Sequence, residues 1–229
     1  MGATLGTGFL VTPTVVATAK HVVDAANAGA GQNVLVGFAG PQVDMGGLKI
    51  RGAFMATAGR VLAVAAQHDL ALVEVPEDTL TMTWGDTEHP PRKAARLSRS
   101  RTREGTAIAV SGYPLDEPSL VTNAGILASS FSIVEESGRR EERHLGDFTA
   151  NPGNSGGPVY TVADARIVGI CVAGRLATIV GGAGSHPAGL TLIVPVAELL
   201  QFMDTEGVKT VEKADIARKT SVRRKRRGR

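Results

Sequence analysis

Several residue types that define common protein classes are rare or absent in this sequence of 229 residues. Its single cysteine, Cys171, cannot form an intrachain disulfide, which excludes a disulfide-stapled secreted domain. No apolar run approaches the roughly 18 residues that indicate a membrane span, and no basic start precedes an apolar core, as in a signal peptide. His and Cys residues lack metal-ligand spacing, so no metal site is expected. We therefore expect a cytoplasmic location, or a secreted or periplasmic one if the chain is a trimmed fragment.

The most informative stretch that is present is the glycine-rich octet at residues 151–158. Ser155 lies there on a bend between two prolines, with Gly153 before it and Gly156 and Gly157 after it. Without Cβ atoms, these glycines let another backbone approach closely. Such a bend can direct the N–H groups of Gly153 and Ser155 at one point, as a developing oxyanion requires. The alternative is an ordinary turn, since Gly, Pro, Asn and Ser dominate turns for local reasons.

One histidine, His21, follows two apolar, β-prone segments at residues 9–11 and 15–17. The pattern predicts two strands with a turn at residues 12–14, and it places His21 where the second strand ends. A general base that works near neutral pH is most often a histidine. The other four histidines lie among polar or turn residues, and we interpret them as non-catalytic: His68, His89, His144 and His186.

A carboxylate, Asp69, directly precedes residues 70–75, which are apolar on both faces of the predicted strand. This pattern predicts a buried strand. A buried charge needs a partner, and the Nδ1–H group of a histidine would provide one while fixing the imidazole tautomer. The alternative is a solvated acid that caps the strand. The order His21, Asp69, Ser155 is one of the orders known for a Ser-His-Asp triad.

Together these segments resemble chymotrypsin-fold serine proteases, above all HtrA-like and other bacterial trypsin-like peptidases. The matching blocks, which extend over about residues 4 to 200, are residues 6–11, 18–23, 69–72, 112–114, 125–127, 151–158, 168–170 and 193–195. The resemblance implies an all-β fold of two six-stranded antiparallel β-barrels with the catalytic groups between them. It also implies a serine endopeptidase that acts on proteins or peptides through an acyl-enzyme, without a cofactor. The PDZ domain that often follows HtrA-like proteases is not expected here.

Composition and the resemblance together divide the chain into four parts. Residues 1–84 are the first barrel with His21 and Asp69, and residues 85–104 are a polar connection. Residues 105–206 are the second barrel with Ser155, ending in a short amphipathic helix from Pro195 to Met203. Residues 207–229 are predicted to be a basic, disordered tail.

The net charge of +3 is concentrated in that tail. Residues 218–229 contain eight lysines and arginines and no acid, so the rest of the chain carries −5 once these are taken from the total. Three interpretations remain open: a solvated tail or linker, a weak contact with nucleic acid or another anion, and a segment that the protein itself cleaves or presents. No aromatic residue interrupts the charges, so stacking on bases is not supported, and the first interpretation is favoured.

Two residues depart from the pattern of the relatives. Lys20 stands where a small residue usually precedes the histidine, and we expect its side chain to point away from the site. Asn154 replaces the aspartate that receives a new N-terminus in digestive trypsin-like enzymes. Because an amide cannot form that ion pair, we expect activity without N-terminal proteolytic activation.

The resemblance also indicates which residues bind the substrate. Thr149, six residues before the nucleophile, would be the floor of the primary pocket, and Val172, Ala173 and Gly174 would form a wall that pairs with the substrate as an added strand. Thr191, Leu192 or Ile193 would provide another wall. None of these residues is charged, so we expect a small or medium apolar residue, or an uncharged polar one, before the scissile bond.

Two other interpretations remain open. The chain is a non-catalytic or latent binding module on a protease fold, or it is the protease domain of a larger effector or polyprotein. A complete triad speaks against the first of these.

Overall fold

The computed structural model describes residues 5–38, 42–45, 48–51, 55–77, 83–84, 87–88, 93–117, 119–136, 139–178 and 185–210. The basic segment at 218–229 lies outside these residues, as does part of the predicted connection at 85–104. Neither of the two described α-helices is long and apolar enough to cross a membrane.

The first unit comprises a five-stranded sheet and two separate two-stranded hairpins. Its elements are β1 (Gly8–Leu10), β2 (Val15–Ala19), α1 (Lys20–Ala25), β3 (Asn33–Phe38), β4 (Gln42–Met45), β5 (Leu48–Arg51), β6 (Met55–Ala65), β7 (Leu70–Glu74), β8 (Thr83–Trp84) and β9 (Thr87–Glu88). Five strands form an antiparallel sheet in the order β1-β2-β7-β6-β3, whereas β4 pairs with β5 and β8 pairs with β9. The strands predicted around residues 9–11 and 15–17 are therefore present.

The second unit is a closed antiparallel barrel. It comprises β10 (Ala107–Gly112), β11 (Val121–Glu136), β12 (Arg139–Gly146), β13 (Pro158–Thr161), β14 (Ile167–Thr178) and β15 (Ser185–Pro195), in the order β10-β11-β12-β15-β14-β13. A short 3-10 turn, Pro114–Asp116, follows β10, and helix α2 (Val196–Thr205) follows β15. The barrel is filled by buried apolar side chains, among them Ile108, Leu127 and Ile193.

The predicted all-β, chymotrypsin-like fold is confirmed, and the barrel of the second unit has the expected six strands. The first unit differs in detail, because its sheet has five strands in the described part of the chain and is open. A half-barrel therefore packs beside a closed ring. The predicted C-terminal helix is also present, with Pro195 as its N-cap and Val196 as its first residue.

Strand β7 is buried on both faces, as its sequence predicts. Leu70 and Leu72 belong to one hydrophobic cluster, and Ala71 and Val73 belong to another. The first of these clusters also contains Ile170 of β14 and Leu199 of α2. The two units thus share one hydrophobic cluster, to which α2 also contributes.

Candidate active site

His21 and Asp69 are brought together by the pairing of two strands. Strands β2 and β7 are antiparallel, and Ala19 at the end of β2 lies opposite Leu70 at the start of β7. Immediately beyond this pair, the His21 N–H donates to Asp69 Oδ1 at 2.9 Å, and His21 Nδ1 lies 2.7 Å from Asp69 Oδ2. Both carboxylate oxygens of Asp69 therefore contact one histidine, through its backbone N–H and its Nδ1 atom.

The backbone of Asp69 is held in an uncommon conformation. Its φ of +53° lies in the left-handed region, which is costly for a residue with a side chain. The Lys20 N–H donates to the Asp69 carbonyl at 3.1 Å, so the turn is fixed from the backbone as well. The side chain of Asp69 is about one quarter exposed (24%), so the carboxylate lies at the rim of the core rather than inside it.

Residues 151–157 form two consecutive tight turns. The Asn154 N–H donates to the Asn151 carbonyl at 3.0 Å, and the Gly157 N–H donates to the Asn154 carbonyl at 2.9 Å. The third residue of each turn is a glycine with positive φ, +97° at Gly153 and +82° at Gly156. Glycine at this position is the requirement of a type II turn, and Pro152 suits the position before Gly153. Ser155 occupies the second position of the second turn.

The turn around Ser155 is anchored through its carbonyl groups. The Pro152 carbonyl accepts a hydrogen bond from the Leu115 N–H at 2.9 Å, and the Ser155 carbonyl accepts one from the Thr7 N–H at 2.7 Å. Within the described part of the chain, the N–H groups of Gly153 and Ser155 have no hydrogen-bond acceptor. Two uncommitted donors on one bend are the chemical requirement for stabilising an oxyanion.

Two glycines allow the turn to approach its neighbours. A methyl group built on Gly153 would lie 2.3 Å from the Tyr113 carbonyl oxygen, and one on Gly156 would lie 2.9 Å from the Ala19 nitrogen. The turn therefore packs against the end of β2, two residues before His21. On its other side, the Ser155 hydroxyl donates to the Val172 carbonyl of β14 at 3.2 Å.

The predicted substrate-binding residues lie on three segments. Thr149 is exposed, and its carbonyl accepts a hydrogen bond from Asn123 Nδ2 at 2.9 Å. Val172 is buried at the start of the predicted wall, whereas Ala173 and Gly174 are exposed. A methyl group built on Gly174 would lie only 3.0 Å from the Ala150 carbonyl oxygen, so this wall closely approaches the segment that contains the floor residue Thr149.

The three residues proposed for the last wall point in different directions. Thr191 is fully buried, and its Oγ1 donates to the Phe148 carbonyl at 2.6 Å, beside the segment that contains Thr149. Leu192 packs against the core shared by the two units, and Ile193 lies inside the second barrel. Because side chains alternate along a strand, Thr191 and Ile193 face the inside of the barrel and Leu192 faces the opposite side. The Thr191 hydroxyl bonds to the segment that contains Thr149.

The remaining sequence candidates lie elsewhere. His68 Nδ1 lies 3.4 Å from Glu198 Oε2 on α2, and His144 is on β12, where burial lowers its pKa. His89 and the side chain of His186 are outside the described residues. The Lys20 ammonium pairs with Asp24, as expected for a side chain directed away from the site.

Cys171 and Asn154 are both buried near the site, and the Asn154 side chain has polar atoms without a hydrogen-bond partner among the described residues. Burial raises the pKa of the Cys171 thiol to about 12, so this cysteine is a core residue rather than a nucleophile. Asn154 is also buried, and neither atom of its side-chain amide has a hydrogen-bond partner among the described residues. The same residues contain no group of three or more His, Cys, Asp or Glu side chains that is placed to hold a metal ion.

The sequence did not predict any role for Thr7, Tyr113 or Leu115, although all three contact the Ser155 turn. Thr7 Oγ1 donates to the Gly153 carbonyl at 2.6 Å, and the Tyr113 N–H donates to Thr7 Oγ1 at 3.1 Å. Thr7 and Tyr113 lie within two of the matching blocks, residues 6–11 and 112–114, but their residue types alone did not indicate a role. Nothing in the sequence indicated Leu115, because it contacts the turn through its backbone N–H, a group that every residue except proline has.

Comparison with solved structures gives the same fold. The apo protease domain of MamO from Magnetospirillum magneticum matches with a TM-score of 0.58 and 17% identity, over 88% of this chain and 89% of that one. The inactive form of the Rv3671c protease matches with a TM-score of 0.57 and 16% identity, over 88% and 83%. The HtrA-type protease AlgW, solved with a decapeptide, matches at 0.58 and 20% identity; the match covers 89% of this chain but 52% of that one.

Sequence comparison gives the family. No curated protein matches this chain significantly in sequence. A family model described as a trypsin-like peptidase domain matches residues 6–170, which include His21, Asp69 and Ser155. The chain therefore belongs to the family of trypsin-like peptidase domains.

Proposed function

We propose that the protein is a serine endopeptidase in which His21, Asp69 and Ser155 form the catalytic triad. Ser155 Oγ attacks the scissile carbonyl carbon while His21 Nε2 takes its proton. Asp69 holds the imidazole and stabilises its charged form. His21 then returns the proton to the leaving amine, and a water molecule, deprotonated by His21, hydrolyses the acyl-enzyme.

The observation that carries this proposal is the double contact between His21 and Asp69. Oδ1 accepts the backbone N–H at 2.9 Å, and Oδ2 lies 2.7 Å from Nδ1. This arrangement favours the tautomer with the proton on Nδ1, because an ionised carboxylate can only accept. In that tautomer Nε2 carries no proton and is the basic ring nitrogen, as a general base requires.

The turn around Ser155 supports the same chemistry. The N–H groups of Gly153 and Ser155 have no acceptor in the described part of the chain, and Gly153 has the positive φ of a type II turn. These two N–H groups are the proposed oxyanion hole. Losing one such donor typically lowers turnover by about 10²–10³.

For the substrate, we propose a protein or peptide with a small uncharged side chain before the scissile bond. The pocket residues Thr149, Thr191 and Gly174 carry no charge, and the close approach of Gly174 to Ala150 leaves little width for a larger side chain. The exposed backbone of Ala173 and Gly174 suits strand addition by the substrate. One structural neighbour, the HtrA-type protease AlgW, was solved with a decapeptide, which agrees with a peptide or protein as the substrate.

One observation favours a second candidate, a latent or non-catalytic module. The Ser155 hydroxyl donates to the Val172 carbonyl at 3.2 Å, and this bond must be given up when the hydroxyl attacks a substrate. A latent module would keep it.

Active-site labelling distinguishes the two candidates. The purified protein is incubated with a fluorophosphonate probe, and its intact mass is measured. An active serine hydrolase gains one probe, and peptide mapping locates it on Ser155. Cleavage of peptides that differ only in the residue before the scissile bond is measured in parallel.

Two variants serve as controls. Ser155→Ala removes the nucleophile and is expected to abolish the adduct and to lower turnover by about 10⁶. Ser100→Ala removes an exposed serine outside the site and is expected to label like the parent. A parent protein that gains no probe, or an adduct that persists in Ser155→Ala, would contradict the proposed function. Efficient cleavage after lysine, arginine or phenylalanine would contradict the proposed substrate class alone.

A further inference from the structure

Thr7 lies at the junction of the two units, next to the turn that carries Ser155. It precedes β1, is 7% exposed, and takes part in four hydrogen bonds. Two involve its backbone: its N–H donates to the Ser155 carbonyl at 2.7 Å, and its carbonyl accepts the Thr18 hydroxyl at 2.6 Å. Thr18 is on β2, three residues before His21. One residue thus joins the strand that leads to the histidine to the turn that carries the serine.

The other two hydrogen bonds depend on the Thr7 side chain. Its hydroxyl donates to the Gly153 carbonyl at 2.6 Å and accepts the Tyr113 N–H at 3.1 Å. Both the donor and the acceptor capacity of the hydroxyl are therefore used, in a buried position where an unpaired polar group is costly. The carbonyls of Gly153 and Ser155, which lie before and after the Ser155 N–H in the chain, both accept hydrogen bonds from Thr7.

We propose that Thr7 is a positioning residue for the oxyanion hole. Its hydroxyl fixes the peptide that follows Gly153, and its N–H fixes the peptide that follows Ser155. With these carbonyls directed at Thr7, the N–H groups of Gly153 and Ser155 stay on the side of the bend that faces substrate. The inference rests on the proposed function, since Thr7 acts through the two donors and does not touch the reacting atoms.

The test compares three substitutions on the full chain. Thr7→Val keeps the size of the side chain and loses the hydroxyl, and Thr7→Ser keeps the hydroxyl and loses the methyl group. Thr12→Val is the matched control. Thr12 is also buried, and among the described residues its hydroxyl accepts only the Thr14 N–H, at 3.3 Å, in the turn between β1 and β2. For each variant, kcat and KM are measured on one peptide substrate, and thermal unfolding is followed to verify folding.

We expect Thr7→Val to lower kcat by about 10- to 100-fold, somewhat less than the removal of an oxyanion-hole donor, with KM within about threefold of the parent. Thr7→Ser should retain kcat within about threefold, and Thr12→Val should behave like the parent. An unchanged kcat in Thr7→Val would overturn the inference. So would an equal loss in Thr7→Ser, because packing of the methyl group would then explain the effect.

If Thr7→Val does not fold, Thr7→Ala is compared with Thr7→Ser, from which it differs only in the hydroxyl. A lower kcat in Thr7→Ala supports the inference, and equal kcat values overturn it. Fluorophosphonate labelling of the parent is measured first, so that the two proposals fail separately. A parent that neither labels nor cleaves contradicts the proposed function, whereas an active parent with an active Thr7→Val variant contradicts only the role of Thr7.

Discussion

At the scale of single residues, Asp69 carries most of the geometry of the site. It binds His21 at two atoms, and it keeps a left-handed backbone conformation to do so. The sequence placed this residue at the start of a buried strand and suggested a histidine partner. The bond from the His21 backbone N–H to Oδ1 was not predictable, because it depends on the register between β2 and β7.

The hydrogen bond from the His21 backbone N–H to Asp69 Oδ1 leads to a prediction for Asp69→Asn. The His21 N–H can only donate, so the amide oxygen of the asparagine must face it, and the NH₂ group must face Nδ1. Nδ1 is then the acceptor and Nε2 carries the proton, so His21 cannot take the proton of Ser155. We expect kcat to fall by about 10⁴ with the fold retained, measured on a peptide substrate.

Asp24→Asn is the matched control for this prediction. Asp24 is exposed, lies three residues after His21 and pairs with Lys20. Its loss removes a charge near the site without touching the imidazole, and activity within about twofold of the parent is expected because exposed ion pairs contribute little. Equal activity of the parent and Asp69→Asn would show that the tautomer of His21 is not set by this carboxylate.

At the scale of elements, the two turns at residues 151–157 show how a local pattern is completed by its surroundings. Pro152 followed by Gly153 favours a type II turn in any context. The close contact of Gly153 with the Tyr113 carbonyl comes from another part of the chain. Glycine is therefore needed at this position for two reasons, its backbone conformation and the space available.

A pair of glycine substitutions separates these reasons. Gly31 has a φ of +83° and no atom near a built methyl group, whereas Gly153 has a φ of +97° and the Tyr113 oxygen at 2.3 Å. Gly31→Ala should cost only the strain of a positive φ, about 1–2 kcal/mol. Gly153→Ala should lower the free energy of unfolding by more than this, because the backbone of Tyr113 must also move. Urea unfolding of both variants measures the difference in the free energy of unfolding, and equal losses would contradict it.

At the scale of the whole molecule, the core shared by the two units is the main feature. Leu199 of α2 is fully buried in a cluster that also contains Leu72 of the first unit and Ile170 of the second. Periodicity predicted α2 as an amphipathic helix packed on a barrel. Only the structure shows that its apolar face belongs to the cluster shared by both units.

This shared core predicts that the two units unfold together. Leu199→Ala should lower the free energy of unfolding by about 2–5 kcal/mol. It should also reduce hydrogen-exchange protection in β7 and in β14 alike. Gln201→Ala, an exposed position on the same helix, should change neither. Loss of protection in β14 alone would show that the first unit is stable independently.

The sequence by itself determined the features that depend on local chemistry. Strand alternation predicted the buried β7, the apolar spacing predicted α2, and the resemblance of several motifs to chymotrypsin-fold proteases implied the fold. These predictions of structure succeed because backbone propensity and side-chain periodicity act between near neighbours in the chain. The catalytic roles of His21, Asp69 and Ser155 stay predictions.

Tertiary structure alone decided the features that depend on distant contacts. The hydroxyl of Thr7 reaches the Gly153 carbonyl across 146 positions of sequence, and the direction of Thr191, Leu192 and Ile193 follows from the register between β14 and β15. Shifting a strand by one residue reverses which side chains face the core. Hydrogen bonds between backbone groups leave no mark on residue identity, so the anchoring of the Ser155 turn is visible only in the folded chain.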